Sequence, residues 1–492
     1  MEQEFRQMDA IALSEKLISR DWSAKEVVEA SIASAKQQNR EINAIVYERY
    51  DKVRAEAEYA RRDTRFAGVP LLLKNLSHML EGEVIDAGST LLKKRVAQRN
   101  SHYVNRLRNA GFLFTGFTNS PELGIKNITE PTIHGPTRNP WNKEYSPGGS
   151  SGGAAAAVAS GIVPIAAASD GGGSIRIPAS WTGLVGLKPT RGRMPVGPGV
   201  GRQWQGAAID FVVSRSVRDS AAVLDELQTF QLEAAFQIPL FEGRYLEDSK
   251  NPLGKLKVAW SDQSPVGTEV SESAKEAVRQ VAYWLEREGH YVENCSPGID
   301  GTNLMESYYV MNSGEMANVL DSLEKTKGIT ITEEDCELET WMLATAGRQI
   351  GANHYSKSIA SWDDALVRMV RFHETYDLYL TPATADHAPK IGELTPSKKD
   401  KAKWIERLNE SEPLQQQALI YEMFLPSLTY SPFTQLSNMT GQPAISLPVY
   451  QCKNGLPIGV QAMAQKGNEA LLLRLGNALE DSYLWQGGLR DE

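Results

Sequence analysis

At 492 residues, 41% apolar and 23% charged, the chain has the composition of a soluble globular protein with material for a sizeable core. Its net charge of −9 disfavours nucleic acid or an anionic membrane as partner, since both reward basic patches. Three scattered cysteines, Cys295, Cys336 and Cys452, give neither a disulfide framework nor a metal-binding spacing, so a reducing, cytoplasmic setting is expected, with no metal and no organic cofactor.

The N-terminal stretch holds acidic residues and no long apolar run, so it does not read as a secretory signal. Ser23-Ala24-Lys25-Glu26 fits a capping box, with Val27, Val28 and Ile32 on one face of the helix that follows. A second helix, rich in Ala, Glu and Arg, is expected over residues 47–62. Residues 68–75 form a short apolar strand ending at Lys74, a position where lysine on its own reads as snorkelling to solvent. Residues 135–141, rich in Pro and Gly, are a loop. Two glycine clusters follow, Gly148-Gly149-Ser150-Ser151-Gly152-Gly153 and Asp170-Gly171-Gly172-Gly173-Ser174. Between them, residues 154–160 read as a helix of small residues and 163–168 as a buried strand, too short and too rich in Ala and Gly for a membrane span.

Beyond Arg193 strands and helices alternate. Residues 256–260 are a strand, 271–288 a helix closed by Gly289, and 291–294 another strand. Residues 303–371 are helical and hold Tyr308, Tyr309, Asn312, Met316 and Trp341, of which the methionine and the aromatics read by residue type as core. Strands are expected at 379–382, 443–448 and 458–463, the last two joined by a Lys453-Asn454-Gly455 turn, before an amphipathic helix capped by Asn468.

The chemistry concentrates in the glycine clusters. Ser174 follows three glycines, so backbone N–H groups from Gly171, Gly172, Gly173 and Ser174 can converge on one oxygen, which is what an oxyanion hole needs. A serine hydroxyl is a weak nucleophile without a base. No histidine accompanies either cluster, and His134 lies upstream with no acidic partner that the sequence identifies, leaving Ser150 and Lys74 as candidates. Gly148 to Gly152 also fits the G-x-S-x-G elbow of α/β-hydrolases, but polar loop precedes it where that motif requires a strand.

Residues 146–193 resemble the amidase signature family, whose pattern is GGSSGG, then D-x-GGS-x-R-x-PA, then G-x-x-G-x-KPT-x-GR; here it ends in Gly183, Gly186, Lys188-Pro189-Thr190 and Gly192-Arg193. The NMTGQPAISLP and GLPIGVQ runs extend the likeness towards the C-terminus, so that residues 200–430 carry it least. The resemblance implies an α/β fold, a mixed central sheet covered by helices on both faces. It also implies one amidase domain over 1–492, with a signature core at 65–200 and a variable helical substrate-pocket region at 300–430. It further implies a Ser-cisSer-Lys triad in which Ser174 attacks, Ser150 relays the proton and Lys74 is the base, with a serine separation of 24 residues matching the family. Ser151, Asp170 and Arg176 then brace the glycine loops, and Asn127, Met316 and Trp341 are candidate substrate contacts. The family's usual Asp after the lysine is here Asn75.

Within the family, the GFTNSPELG, GPTRNPW and SDGGGSIRIPAS runs are most similar to 6-aminohexanoate-cyclic-dimer hydrolases. An amidohydrolase forming an acyl-enzyme with a small linear or cyclic amide of uncharged body is therefore expected, acting as a homodimer if it follows its relatives. Two alternatives stand beside it. One is the glutaminase (A) subunit of a tRNA-dependent amidotransferase, which passes ammonia to a partner chain. The other is a catalytically silent binding protein on the same fold.

Overall fold

A computed structural model describes residues 1–488. Its strands are β1 (Ile45–Glu48), β2 (Pro70–Lys74), β3 (Leu113–Thr118), β4 (Ile165–Asp170), β5 (Val185–Lys188), β6 (Ile209–Ser214), β7 (Lys257–Trp260), β8 (Tyr291–Asn294), β9 (Leu378–Pro382), β10 (Ala444–Gln451) and β11 (Pro457–Ala464). They join in one sheet of 11 strands in the order β1-β3-β2-β4-β6-β5-β10-β11-β9-β7-β8. Parallel pairs (β2 with β3 and β4, β7 with β8 and β9) flank an unbroken antiparallel run from β4 to β9, so the sheet is mixed.

Sequence explains which strands are central. β2 (PLLLK), β4 (IAAASD) and β6 (IDFVVS) are buried at every position, which requires cover on both faces and favours unbroken runs of apolar or small residues. Outermost β1 and β8 instead carry Glu48 and Glu293 and are half-open, as edge strands avoiding further pairing usually are. The helix Gly152–Ala159 is buried along its whole length, and its Gly and Ala residues let it lie close against β4. Among the described residues no helix is long and apolar enough to cross a membrane.

β2 and β4 run parallel, so Lys74 and Asp170 emerge at the same end of the sheet. β6 runs antiparallel to β4 in a register that sets Asp210 opposite Ser169. This end, beyond the carboxyl termini of parallel strands, is where open α/β sheets collect ligands.

Most expected elements are present, and two details differ. Ser23 does form the capping box of helix Ala24–Ile42, accepting from Glu26 N–H at 3.2 Å while the Glu26 carboxylate accepts from Ser23 N–H at 2.8 Å. The helix expected over 47–62 is instead β1, paired antiparallel with β3, followed by a helix of Tyr50–Ala57 only. Pairing with β3 claims the backbone there, overriding a helical composition. Asn468 occupies the N-cap position of helix Glu469–Glu480, but its side chain makes no capping bond. Helices Gly301–Lys327, Leu338–Gly347, Ala352–His373 and Pro413–Tyr430 gather around a second apolar cluster built on residues such as Met342, Leu343, Ile420 and Phe424.

Candidate active site

Lys74 closes β2 fully buried, with Nζ 2.7 Å from Ser150 Oγ and 2.8 Å from Ser169 Oγ. Burial drives its ammonium down from the ordinary 10.5 to about 7, against the pull of the Asp210 and Asp170 carboxylates. Ser150 is likewise buried and follows a cis Gly149–Ser150 peptide. Gly149 lies so close to the neighbouring loop that a Cβ there would stand 2.6 Å from the Ile128 backbone N. Ser151 ties this turn to β4, its Oγ donating to Ser169 O at 3.2 Å and accepting from Ser169 N–H at 3.3 Å.

The second glycine loop is built around a buried ion pair. Arg176 Nη2 and Nε reach the two Asp170 oxygens at 2.8 and 2.9 Å, and both side chains are fully buried. Burial pushes the Asp170 carboxyl up, but the Arg176 charge and hydrogen bonds outweigh it and hold the group well below the usual carboxylate range. The remaining Arg176 donors go to Thr434 O, Gln461 Oε1 and Asn438 Oδ1 at 2.6–2.7 Å, so the pair is saturated. Asp170 also accepts from Gly173 N–H at 2.8 Å.

That bond corrects one expectation. Gly173 N–H is already committed to Asp170 and is not available to a substrate oxygen. The N–H groups of Gly171, Gly172 and Ser174 have no protein partner among the described residues, and all three residues line the cleft. Tyr308 OH on Gly171 O (2.9 Å) and Thr434 Oγ1 on Gly172 O (2.7 Å) hold the loop's carbonyls outward. Gly173, at φ 129°, would put a Cβ 2.2 Å from Thr434 Oγ1, so only glycine fits this packing. Ser174 Oγ has no hydrogen-bond partner among the described residues; it shares the cleft wall with Ser150.

Asp210 was not singled out from sequence; it lines the cleft, and its carboxylate acts electrostatically on Lys74. It accepts from Ser77 Oγ at 2.8 Å and Gln203 Nε2 at 3.0 Å. His78 Nδ1 accepts Lys74 N–H at 3.0 Å, so the ring's proton sits on Nε2, 3.2 Å from Asp210 Oδ1. Burial raises the Asp210 carboxyl, yet the His78 contact and these hydrogen bonds leave it below its ordinary value. Asn75 exchanges hydrogen bonds with Asp86, whose carboxylate also takes Tyr47 OH and lies 2.8 Å from His134 Nε2. His134 thus has an acidic partner after all, away from the cleft lining.

The cleft encloses about 500 Å³, with Leu123, Trp204, Tyr308, Tyr309 and Phe424 among its walls. Asn127 borders it, its Nδ2 donating to Ser427 O and Ser431 Oγ at 2.9 Å. Tyr308 and Tyr309, read by residue type as core, form wall, as does Asn312. Met316 and Trp341 do not border the cleft. Met316 lies further along the same helix as Tyr308 and is fully buried in the second apolar cluster.

The buried lysine–serine pair, the glycine loop with free N–H groups and the mixed sheet behind them coincide with an established family: the amidase family pattern matches residues 26–473, and the chain belongs to it. Its members are hydrolases of carbon–nitrogen bonds. Among particular relatives, the chain is 37% identical to a lipoamidase of Enterococcus faecalis, over 98% of this chain and 64% of that longer protein. It is 35% identical to the 6-aminohexanoate-cyclic-dimer hydrolase of Paenarthrobacter ureafaciens, over 97% and 95% of the two chains. A solved structure of a 6-aminohexanoate cyclic dimer hydrolase complexed with substrate superposes with a TM-score of 0.85 at 34% identity, covering 96% of each chain. A bacterial aryl acylamidase superposes at 0.84 with 26% identity, covering 97% of each.

Proposed function

We propose that this protein hydrolyses a small linear or cyclic amide through an acyl-enzyme on Ser174. Ser174 Oγ attacks the carbonyl carbon as its proton passes through Ser150 to Lys74 Nζ. The N–H groups of Gly171, Gly172 and Ser174 receive the oxyanion. The proton returns through Ser150 to the leaving nitrogen, the C–N bond breaks, and water repeats the sequence to release the acid. Asp170 with Arg176, and Ser151, act as positioning residues for the two loops.

The observation that carries this reading is the 2.7 Å contact between Ser150 Oγ and a buried lysine poised near neutrality. A base whose pKa lies near the working pH moves protons most effectively. The largely apolar cleft suits an uncharged substrate body, and cyclic dimers of 6-aminohexanoate, cleaved by two of the relatives, are the first to try.

Amine or ammonia release from short aliphatic amides, aryl amides, glutamine and a 6-aminohexanoate cyclic dimer tests the proposal. Ser174→Ala is expected to abolish turnover and acyl-enzyme mass, and Ser150→Ala to cut kcat by about 100-fold or more. Full activity in Ser174→Ala would refute the assigned nucleophile.

A further inference from the structure

Behind the cleft lies a second cavity of about 130 Å³, and two side chains, Met305 and Gln435, border both spaces. They are 3% and 8% exposed, so the partition is closed. Met305 stands one helical turn before Tyr308, whose hydroxyl holds the Gly171 carbonyl. Gln435 begins helix Gln435–Thr440, and its Cγ lies 3.7 Å from where a Cβ on Gly172 would sit. The partition is therefore adjacent to the loop that meets the reacting carbonyl.

Gln435 Nε2 donates to Ser431 O at 2.8 Å, which fixes the carboxamide and leaves Oε1 buried with no protein partner. Buried polar atoms are rarely left so. Val266, Ile299, Leu436 and Met439 give the chamber an apolar wall, and the exposed Gln263, Pro265 and Ser296 border it where it meets solvent.

We propose that the chamber is a continuation of the substrate cleft and receives the end of a linear aliphatic arm of the amide, with Met305 and Gln435 forming the threshold. Methionine suits such a place, because its unbranched side chain changes rotamer without disturbing its neighbours. The chamber has room for on the order of four methylene-sized groups. An arm carrying an N–H at the threshold gains Gln435 Oε1 as acceptor. This inference rests on the amide-hydrolase reading and names the substrate class more closely.

The test uses two homologous series, N-acyl 4-nitroanilides lengthened on the acyl side and N-alkyl hexanamides lengthened on the amine side. kcat/KM is measured for wild type, Met305→Ala and Ile299→Trp. Met305→Ala opens the threshold and is expected to favour longer arms over short ones by about fourfold per added methylene. Ile299→Trp fills the chamber from the side away from the cleft. It is expected to lower kcat/KM for long arms and leave the shortest members unchanged. A response confined to one series supports the chamber and identifies the arm. Superimposable length profiles in both series overturn it, and Ile299→Trp alone decides if Met305→Ala does not fold. If wild type turns over no member of either series, the amide-hydrolase reading fails and takes this inference with it.

Discussion

Replacing Lys74 by methionine isolates the free energy of keeping an amine in this site. Lowering its pKa from 10.5 to about 7 corresponds to a penalty of about 5 kcal/mol for holding the proton in the folded state. Below about pH 7 folded and unfolded chains both carry that proton, and the whole penalty acts. Between about 7 and 10.5 the unfolded lysine holds a proton that the folded one lacks. Raising the pH through that window therefore stabilises the native state by about 1.4 kcal/mol per unit.

Lys74→Met has no such slope. It also leaves the Ser150 and Ser169 hydroxyls without the amine, a cost of about 1–3 kcal/mol each that does not vary with pH. The stability difference, wild type minus variant, should thus climb by about 2.7 kcal/mol between about pH 7.5 and 9.5. Urea unfolding of both proteins followed by tryptophan fluorescence, at three pH values in that range, reads this directly, and other titrating groups cancel in the difference. Parallel stability curves would show that the lysine titrates alike in both states and would refute the assignment of a neutral base. In wild type, kcat/KM should fall about tenfold per pH unit below the same value near 7.

The neighbouring groups give further expectations. Asp210→Asn removes the carboxylate that raises Lys74, so the acid limb of kcat/KM should move to lower pH, with a profile fixed at the wild-type position counting against the coupling. Asp170→Asn leaves Arg176 charged and buried without its counter-ion, which should cost about 3–5 kcal/mol by urea denaturation. Gly149→Ala forces a methyl against the Ile128 backbone; loss of soluble protein or a marked fall in Tm is expected, and wild-type stability would show that the turn can move.

The parts legible in the sequence were those whose geometry is local. Glycine runs announce close backbone approach, and the serines and Asp170 within them sit in the second loop and at the cis turn where the pattern put them. What the sequence hid depends on strand pairing. Asp210 reaches Lys74 only because β6 lies antiparallel to β4 in one register, and nothing near residue 210 encodes that partner. The role of Gly173 N–H was hidden for a related reason: four successive donors look alike until Asp170 folds back on one of them. Met316 reads like Tyr309, and only its place further along the same helix sets it in the core instead of on the cleft wall; Trp341, half-buried on helix Leu338–Gly347, borders the cleft no more than Met316 does.

Arg176 draws its neutral acceptors from the far end of the chain: Thr434, Asn438 and Gln461, the last 285 positions away. On a ribosome adding about 5–20 residues per second, roughly 15 to 60 s pass between the synthesis of Arg176 and that of Gln461. Throughout that interval the nascent polypeptide already carries Ser174, Ser150 and Lys74, yet the guanidinium that shapes the second loop lacks three of its five hydrogen bonds. A truncated product ending before Thr434 would therefore be inert as well as misfolding-prone. On the proposed mechanism, the second glycine loop is fully braced only when translation is nearly finished.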